Sequence, residues 1–461
     1  MTEHHSYFFC GIGGSGMMPL AIILKGQGHD VAGSDRSLDQ GRTAPKFEWL
    51  RAHGVRLFAQ DGSGVTSAEQ ILVSSTAVEA TVPDVIAAEA VGARRMVRAE
   101  LLAEQFNAST QGIAVGGTSG KSTVTGMIGW IFHALGHDPT VMNGAVMKNF
   151  MTPDTPFASS LVGHGTAFIS EVDESDGSIA LYNPDIAVLN NIALDHKSMA
   201  ELRLLFGGFI GKARKAVLNL DNDEVGRLTA NLPEGAAITY SIEGRAADLA
   251  ASDIVEHPDG ISFTVNGHPV ALQVPGLHNA ANAMAAMAAA MAAGIGLAEA
   301  ARVLAGFTGL RRRLEVTGTA NGVTVIDDFG HNPDKIAATL RTLHAFPGRL
   351  LMMFQPHGYG PIRQMGDELI ATFIDNMAPE DIIIMPDPVY FGGTVDRQRG
   401  TAFLISGIAA GARHAAHIPV RADCGDYLLA MAEPGDRIVI MGARDDTLSL
   451  FAQDLLDRLG K

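Results

Sequence analysis

Short apolar runs that end in glycine or polar residues recur along the chain. Tyr7–Cys10 leads into a Gly-rich turn and a helix-forming stretch, a second run ends at Gly33-Ser34-Asp35, and a third covers 71–75. That is the opening of a βαβ fold. The arrangement returns at Gly112–Val115, followed by the loop Gly116–Gly120 and a helix over Thr123–Leu135. Ala167–Ser170 and Ile186–Leu189 are further strands, each ending in polar residues, as strands do at the carboxyl edge of an open parallel sheet. Residues 252–274 alternate around Asp-Gly and Asn-Gly turns and predict β-hairpins. A helix over Asn279–Ala293 carries Met284, Met287 and Met291 on one face, a core stripe rather than a ligand box. From Thr308 onward, strands at Val323–Ile326, Leu350–Phe354, Asp381–Met385 and Arg437–Met441 alternate with helices. The pattern is α/β in three segments, 1–107, 108–307 and 308–461.

Composition narrows the partners. A length of 461 residues allows two to four domains. Lys plus Arg number 34 against 50 Asp plus Glu, a net charge of −16, which argues against a nucleic-acid binder. Small anions remain possible, because a few backbone N–H groups bind phosphate locally. Two cysteines, Cys10 and Cys424, make no disulfide framework and suit a reducing cytoplasm. No secretory signal is expected, and the Ala-rich stretch Ala283–Ala298, interrupted by Gly294 and Gly296, reads as a buried helix, not a membrane span. A cytoplasmic monomer or homodimer is the expectation.

Two turns carry chemistry. Gly11-Ile-Gly13-Gly14-Ser15-Gly16, before Met17, fits the strand–turn–helix spacing at which backbone approaches a diphosphate, with Asp35 closing the next strand. Taken alone it suggests a dinucleotide site. Gly117-Thr118-Ser119-Gly120-Lys121-Ser122-Thr123 is more specific. Its amides would cradle phosphates, Lys121 would neutralise β/γ oxygens and Ser122 would ligate Mg²⁺, although Val115 stands where the strict motif has its first glycine. Glu171-Val-Asp173-Glu174-Ser-Asp176 crowds four carboxylates at a strand end, which suits a cation, and Asp195-His196 could complete a metal site. His278-Asn279-Ala-Ala-Asn282, Arg311-Arg312-Arg313 and Asp327-Asp328-Phe-Gly-His331 offer groups for a base edge and for phosphate.

Together, in order and spacing, these motifs resemble the Mur ligase family over nearly the whole chain. The resemblance implies a three-domain architecture: an N-terminal Rossmann-like domain for a UDP-sugar, a central P-loop ATPase-like domain and a C-terminal Rossmann-like domain for an amino acid or peptide. Gly11, Gly13, Gly14, Ser15, Gly16, Met17, Ser34, Asp35, Ser74 and Ser75 would then face the UDP-sugar. Lys121 and Ser122 would hold ATP and Mg²⁺, Glu174 and His196 metal, and Asn279 and Asn282 adenine. Arg313, Asp328 and His331 would reach the nucleotide from the third domain. The implied reaction joins the carboxylate of UDP-N-acetylmuramate, or a similar UDP-sugar acid, to an amino acid, L-alanine by family default, through an acyl phosphate. His357 is a candidate base for the incoming amine, and Lys212 lies in the region where some members carry a carbamoylated lysine. GIGGSGM and GSD are similar to the alanine-adding branch; RRRLE, NGVTV and DDFGHNP are at least as similar to a tripeptide-recycling branch. Gln355-Pro-His357 is followed by Gly358-Tyr359-Gly360-Pro361, with Arg363 the next basic residue, where the alanine-adding branch is arginine-rich. A tripeptide ligase and a catalytically altered nucleotide-binding paralogue therefore stand as alternatives.

Overall fold

The computed structural model describes residues 4–193, 197–389, 397–443, 445 and 447–461. Among them the chain forms three sheets. Its contacts group into two compact units, one made of Met1–Val255, Ser262–Gln273 and Asn279–Thr308, the other of Glu256–Ile261, Val274–His278 and Gly309–Lys461.

The first sheet runs Arg56–Phe58, Asp30–Ser34, Ser6–Cys10, Gln70–Ser74, Arg94–Val97, all parallel. The chain builds outward on one side of Ser6–Cys10 and then crosses to the other, so Gly11–Gly16 leave from a topological switch point. Tyr7 and Phe9 pack on one face and Phe8 and Cys10 on the other. Burial on both faces explains why this strand reads as a continuous apolar run.

In the central sheet Gln111–Gly116 lies between Ile186–Leu189 and Ala167–Glu171, parallel to both, with Val115 beside Glu171 and Gly116 beside Leu189. The phosphate loop, the acidic run and Asn190-Asn191 therefore leave one edge side by side. The helix Lys121–Ala134 begins two residues before its expected start and buries Val124, Met127, Ile128 and Ile131 at helical spacing. The expected hairpins form as Leu249–His257, Gly260–Val265 and His268–Leu272. Asn266 and Gly267, at φ 45° and 85°, make the left-handed turn between the last two. The Met-bearing helix spans Leu277–Ala292; Met284 and Met287 are fully buried, while Met291 is partly exposed. It stops before Gly294, at φ +94°, and no described helix is long and apolar enough to cross a membrane.

The third sheet runs Glu315–Ala320, Val323–Asp328, Arg437–Gly442, Leu350–Gln355, Ile382–Met385, His414–His417. Its first pair is antiparallel, which the alternation of strands and helices did not predict; the rest are parallel. Cys10 and Cys424 are both buried free thiols.

Candidate active site

The phosphate loop is held from below and from one side. Gly117 and Gly120 adopt φ +133° and +80°. Asn191 accepts from the Thr118 hydroxyl and the Ser119 amide, each at 2.9 Å, and its Nδ2 returns to Ser119 Oγ at 2.9 Å. A side chain at Gly120 would place its Cβ 2.6 Å from Asn282 Oδ1 and 2.8 Å from Asn190 Nδ2, so only glycine fits there. No side chain caps the first turn of Lys121–Ala134, which leaves its N–H groups and helix dipole suited to an anion.

Charge is concentrated at the head of that helix. The Lys121 ammonium donates to Gly117 O and to Glu174 Oε2, both at 2.7 Å. Glu174 is buried, so this pair offsets a desolvation cost that either charge alone would leave unpaid. Ser122 Oγ donates to Glu171 Oε2 at 2.7 Å, and Asn143 Nδ2 donates to Ser122 O at 2.9 Å. Burial opposes ionisation of Asp173, but the Ser175 amide and hydroxyl and the charge of Lys121 outweigh it and hold the carboxyl below its usual range. His196 lies outside the described residues. Among the described residues no cluster of three or more His, Cys, Asp or Glu is assembled as a ready metal site.

In the first loop, Asp35 serves the backbone. Its Oδ2 accepts from the Gly13 amide at 2.8 Å and its Oδ1 from the Ser37 amide at 2.7 Å, capping the next short helix. Ser34 is fully buried and donates to Asp84, and Ser74 is buried with Arg95 Nε at 3.4 Å from its hydroxyl. Ser15 and Gly14 are exposed at the loop's tip. Two cations that no motif marked stand beside this loop. Lys46 Nζ is 3.2 Å from Gly13 O, and the Arg98 side chain passes 3.3 Å from where a Cβ on Gly16 would stand.

In the second compact unit, Asp328 accepts from the Leu314 amide at 2.9 Å, the Gly330 amide at 2.8 Å and the Thr339 hydroxyl at 2.8 Å. It thereby ties the RRRLE turn to the DFGHN loop. Arg313 stacks over Phe329 at 4.3 Å. Arg312, at φ 59°, is buried against Asp327 and the Gly442 carbonyl. Burial, with Lys335 close by, lowers the His331 pKa to about 3. Its ring is therefore neutral, with Nδ1–H donating to Phe329 O at 2.8 Å. The His331 and His357 rings meet edge-to-face at 5.3 Å although their strands are separated by Arg437–Gly442. Lys212 sits at the end of helix Met199–Gly211, where its ammonium donates to Ala180 O at 2.6 Å.

Sequence reasoning missed Asn190, Asn191, Asn143, Lys46 and Arg98, and it did not assign Glu171 to Ser122. Asn190 and Asn191 had one signal, that they directly follow the buried strand Ile186–Leu189, whereas Asn143 follows the three-residue strand Thr140–Met142. Lys46 and Arg98 had none, because neither belongs to a turn or a strand end that the apolar pattern marks.

A phosphate loop carrying its own lysine and hydroxyl, facing an acidic strand end, defines a nucleotide-dependent enzyme. Residues 6–110 match the Mur ligase family catalytic domain, 115–290 the Mur ligase middle domain, and 312–444 the Mur ligase glutamate ligase domain. The chain belongs to the Mur ligase family, ATP-dependent enzymes that form amide bonds. It is 34% identical to the UDP-N-acetylmuramate–L-alanine ligase of Agrobacterium fabrum, covering 95% of this chain and 94% of that one. It is 33% identical to the same-named ligase of Phenylobacterium zucineum, over 96% and 94%. The fold matches the Thermotoga maritima UDP-N-acetylmuramate–alanine ligase MurC with a TM-score of 0.79 at 20% identity, covering 99% of each chain. It matches a murein peptide ligase from Psychrobacter arcticus with a TM-score of 0.72 at 25% identity, again over 99% of each.

Proposed function

We propose that the chain uses ATP to join the carboxylate of UDP-N-acetylmuramate to the amine of L-alanine. The observation that carries the reading is the Lys121 ammonium held at 2.7 Å from both Gly117 O and Glu174 Oε2 at the head of an uncapped helix. A carboxylate and an amine do not condense unaided at neutral pH; phosphorylating the acid supplies a leaving group, and the amine then displaces phosphate. Lys121 and the loop amides would stabilise charge on the transferred phosphoryl group. Asn191 keeps those amides in place. The Ser122 hydroxyl and the Glu171 and Glu174 carboxylates are hard oxygen donors that suit Mg²⁺ and would hold it. When bound, the ion neutralises phosphoryl oxygens. Asp35 shapes the Gly11–Gly16 loop for the UDP diphosphate, with Lys46 and Arg98 supplying positive charge beside it.

The full-length likeness to L-alanine ligases supports L-alanine as the amine. A short peptide is the second reading. It is favoured by the segment after His357, where the helix Tyr359–Asn376 opens on Tyr-Gly-Pro and its first basic residue, Arg363, is exposed. ADP release that requires both UDP-N-acetylmuramate and an amine tests the reaction, and a mass-spectrometric panel of amino acids and tripeptides separates the two amines. Absence of any amine-dependent product with UDP-N-acetylmuramate would overturn both.

A further inference from the structure

The third sheet has a crevice of its own. From Leu350–Gln355 the chain steps outward through Ile382–Met385 to His414–His417, then returns to lay Arg437–Gly442 between Val323–Asp328 and Leu350–Gln355. The helices that follow Val323–Asp328 and Leu350–Gln355 cover one face, and the helix that follows Arg437–Gly442 covers the other. Connections that leave adjacent strands toward opposite faces open a crevice at the strand ends, where open α/β sheets bind ligands. His331 and His357 meet there.

The turn after Leu350–Gln355 is walled by the segment that follows the next strand. Gln355 Nε2 donates to Asp387 O at 2.9 Å, and the Val389 amide to Pro356 O at 3.1 Å. Thr401 Oγ1 donates to Pro386 O at 2.7 Å, which ties the two ends of that segment together. Gly400 lies against Tyr359: a Cβ on it would stand 3.4 Å from the ring's Cε1. The Arg397 guanidinium stands over the same ring, 5.9 Å from its centroid. Arg399 turns elsewhere, meeting Asp367 at 3.4 Å and lying over Phe403 at 4.6 Å. Arg397 is exposed and Tyr359 half-buried. The fold thus carries a cation to the turn just beyond His357.

An amino acid or a peptide brings a carboxylate along with its amine. The amine must be neutral to attack, whereas the carboxylate stays ionised throughout. The charged end is therefore the handle by which a site can orient the attacking nitrogen. In a chain of net charge −16, taking up that anion needs a local cation. A guanidinium stacked through its flat face directs its N–H fork along its rim, where a carboxylate takes two parallel bonds. Arg312 and Arg421, at the same edge of the sheet, are committed to Asp327 and Asp445. We propose that Arg397 binds the carboxylate of the incoming amino acid or peptide, and that Tyr359 is a positioning residue that holds its guanidinium at the crevice. This rests on the ligase reading proposed above.

The test uses the full-length enzyme with saturating ATP and UDP-N-acetylmuramate. The amine is L-alanine, or the tripeptide where the panel above selects it. Each is compared with its carboxyl-terminal amide, which keeps the attacking nitrogen and loses the negative charge. The parent enzyme should favour the acid over the amide in kcat/KM. Arg397→Ala should raise the KM for the acid about ten- to thirtyfold and leave kcat and the KM for the amide within about twofold, so that the acid-to-amide ratio falls about tenfold or more. Arg397→Lys keeps a charge without the fork and should recover part of the ratio. Tyr359→Leu should lower the ratio about two- to fivefold, and Tyr359→Phe should keep it. Arg363→Ala removes the next cation along the helix and should keep it too. A parent enzyme that uses acid and amide alike, or a folded Arg397→Ala variant with the parent's ratio, overturns the proposal, since a merely structural role moves both substrates together. An unchanged ratio in Tyr359→Leu overturns the positioning role. Absence of any amine-dependent product in the parent enzyme sinks the ligase reading itself, and this inference with it.

Discussion

Gly11–Gly16 and Gly117–Gly120 both leave the carboxyl end of a buried parallel strand and enter a helix without a side-chain cap, yet they are held by different means. One carboxylate, Asp35 from the neighbouring strand, braces the first loop through the Gly13 amide. Its nearby cations, Lys46 and Arg98, arrive from distant helices. The second loop carries its own Lys121 and Ser122, is clamped by Asn191 and rests on Asn190 and Asn282. Two glycine-rich turns of similar sequence thus differ in how tightly they are fixed and in where their nearby charge comes from, and the elements packed beside each turn decide both.

The comparison is broken most severely at Lys121. Lys121→Ala removes the cation from the second loop, and kcat should fall roughly 100- to 1,000-fold. Turnover near wild type in a steady-state assay would mean that the second loop, like the first, draws its charge from elsewhere. Gly120→Ala comes next. The new methyl meets Asn282 and Asn190 at φ +80°, whereas at Gly11, φ +86°, it would find open space. Both substitutions incur left-handed strain of about 1–2 kcal/mol. Only Gly120→Ala should also raise the KM for ATP, by roughly tenfold, because the collision displaces paired amides. Equal Michaelis constants in the two variants would erase the distinction drawn between the loops.

Asp35→Ala is the matching test of the first loop. It frees the Gly13 amide and uncaps Ser37, so calorimetry should read a loss of about 1–2 kcal/mol. The KM for the UDP-sugar should rise while that for ATP stays put; a change in both would show that the loops are not held independently. The smallest effect lies outside both loops, at His331. Its folded pKa of about 3 lies below the unfolded value near 6.5, so the unfolded chain takes up a proton that the folded chain refuses. Its contribution is therefore present above pH 6.5 and lost as the pH falls below it, by about 0.7 kcal/mol between pH 7 and 6. Denaturant titrations of His331→Gln should show a shallower decline over that interval than the parent does, and a parallel decline would place His331 in water.

Much of the fold was readable because strands buried on both faces announce themselves. Ile186–Leu189 and the cores of Gln111–Gly116 and Leu350–Gln355 stand out as apolar runs against polar flanks. Short or half-covered strands such as Thr140–Met142 and the antiparallel Glu315–Ala320 carry no such contrast and were not anticipated. Motif residues were readable where chemistry demands a fixed local spacing, as from Gly117 to Thr123. Asn191 was not, because its role depends on which strand lies next to Gln111–Gly116, and sheet order is not written in any local window.

The sequence alone determined the α/β class, the two glycine-rich turns, the lysine and hydroxyl of the phosphate loop, and the acidic run that faces it. These follow from local spacing and from the free energy of burying apolar runs. Tertiary structure decided which groups those residues meet. It paired Lys121 with Glu174 and Ser122 with Glu171, turned Asp35 onto backbone and Ser34 inward, and brought His331 against His357. A hydrogen bond or an ion pair forms over about 3 Å of space, and which side chains come that close is set by strand order and burial.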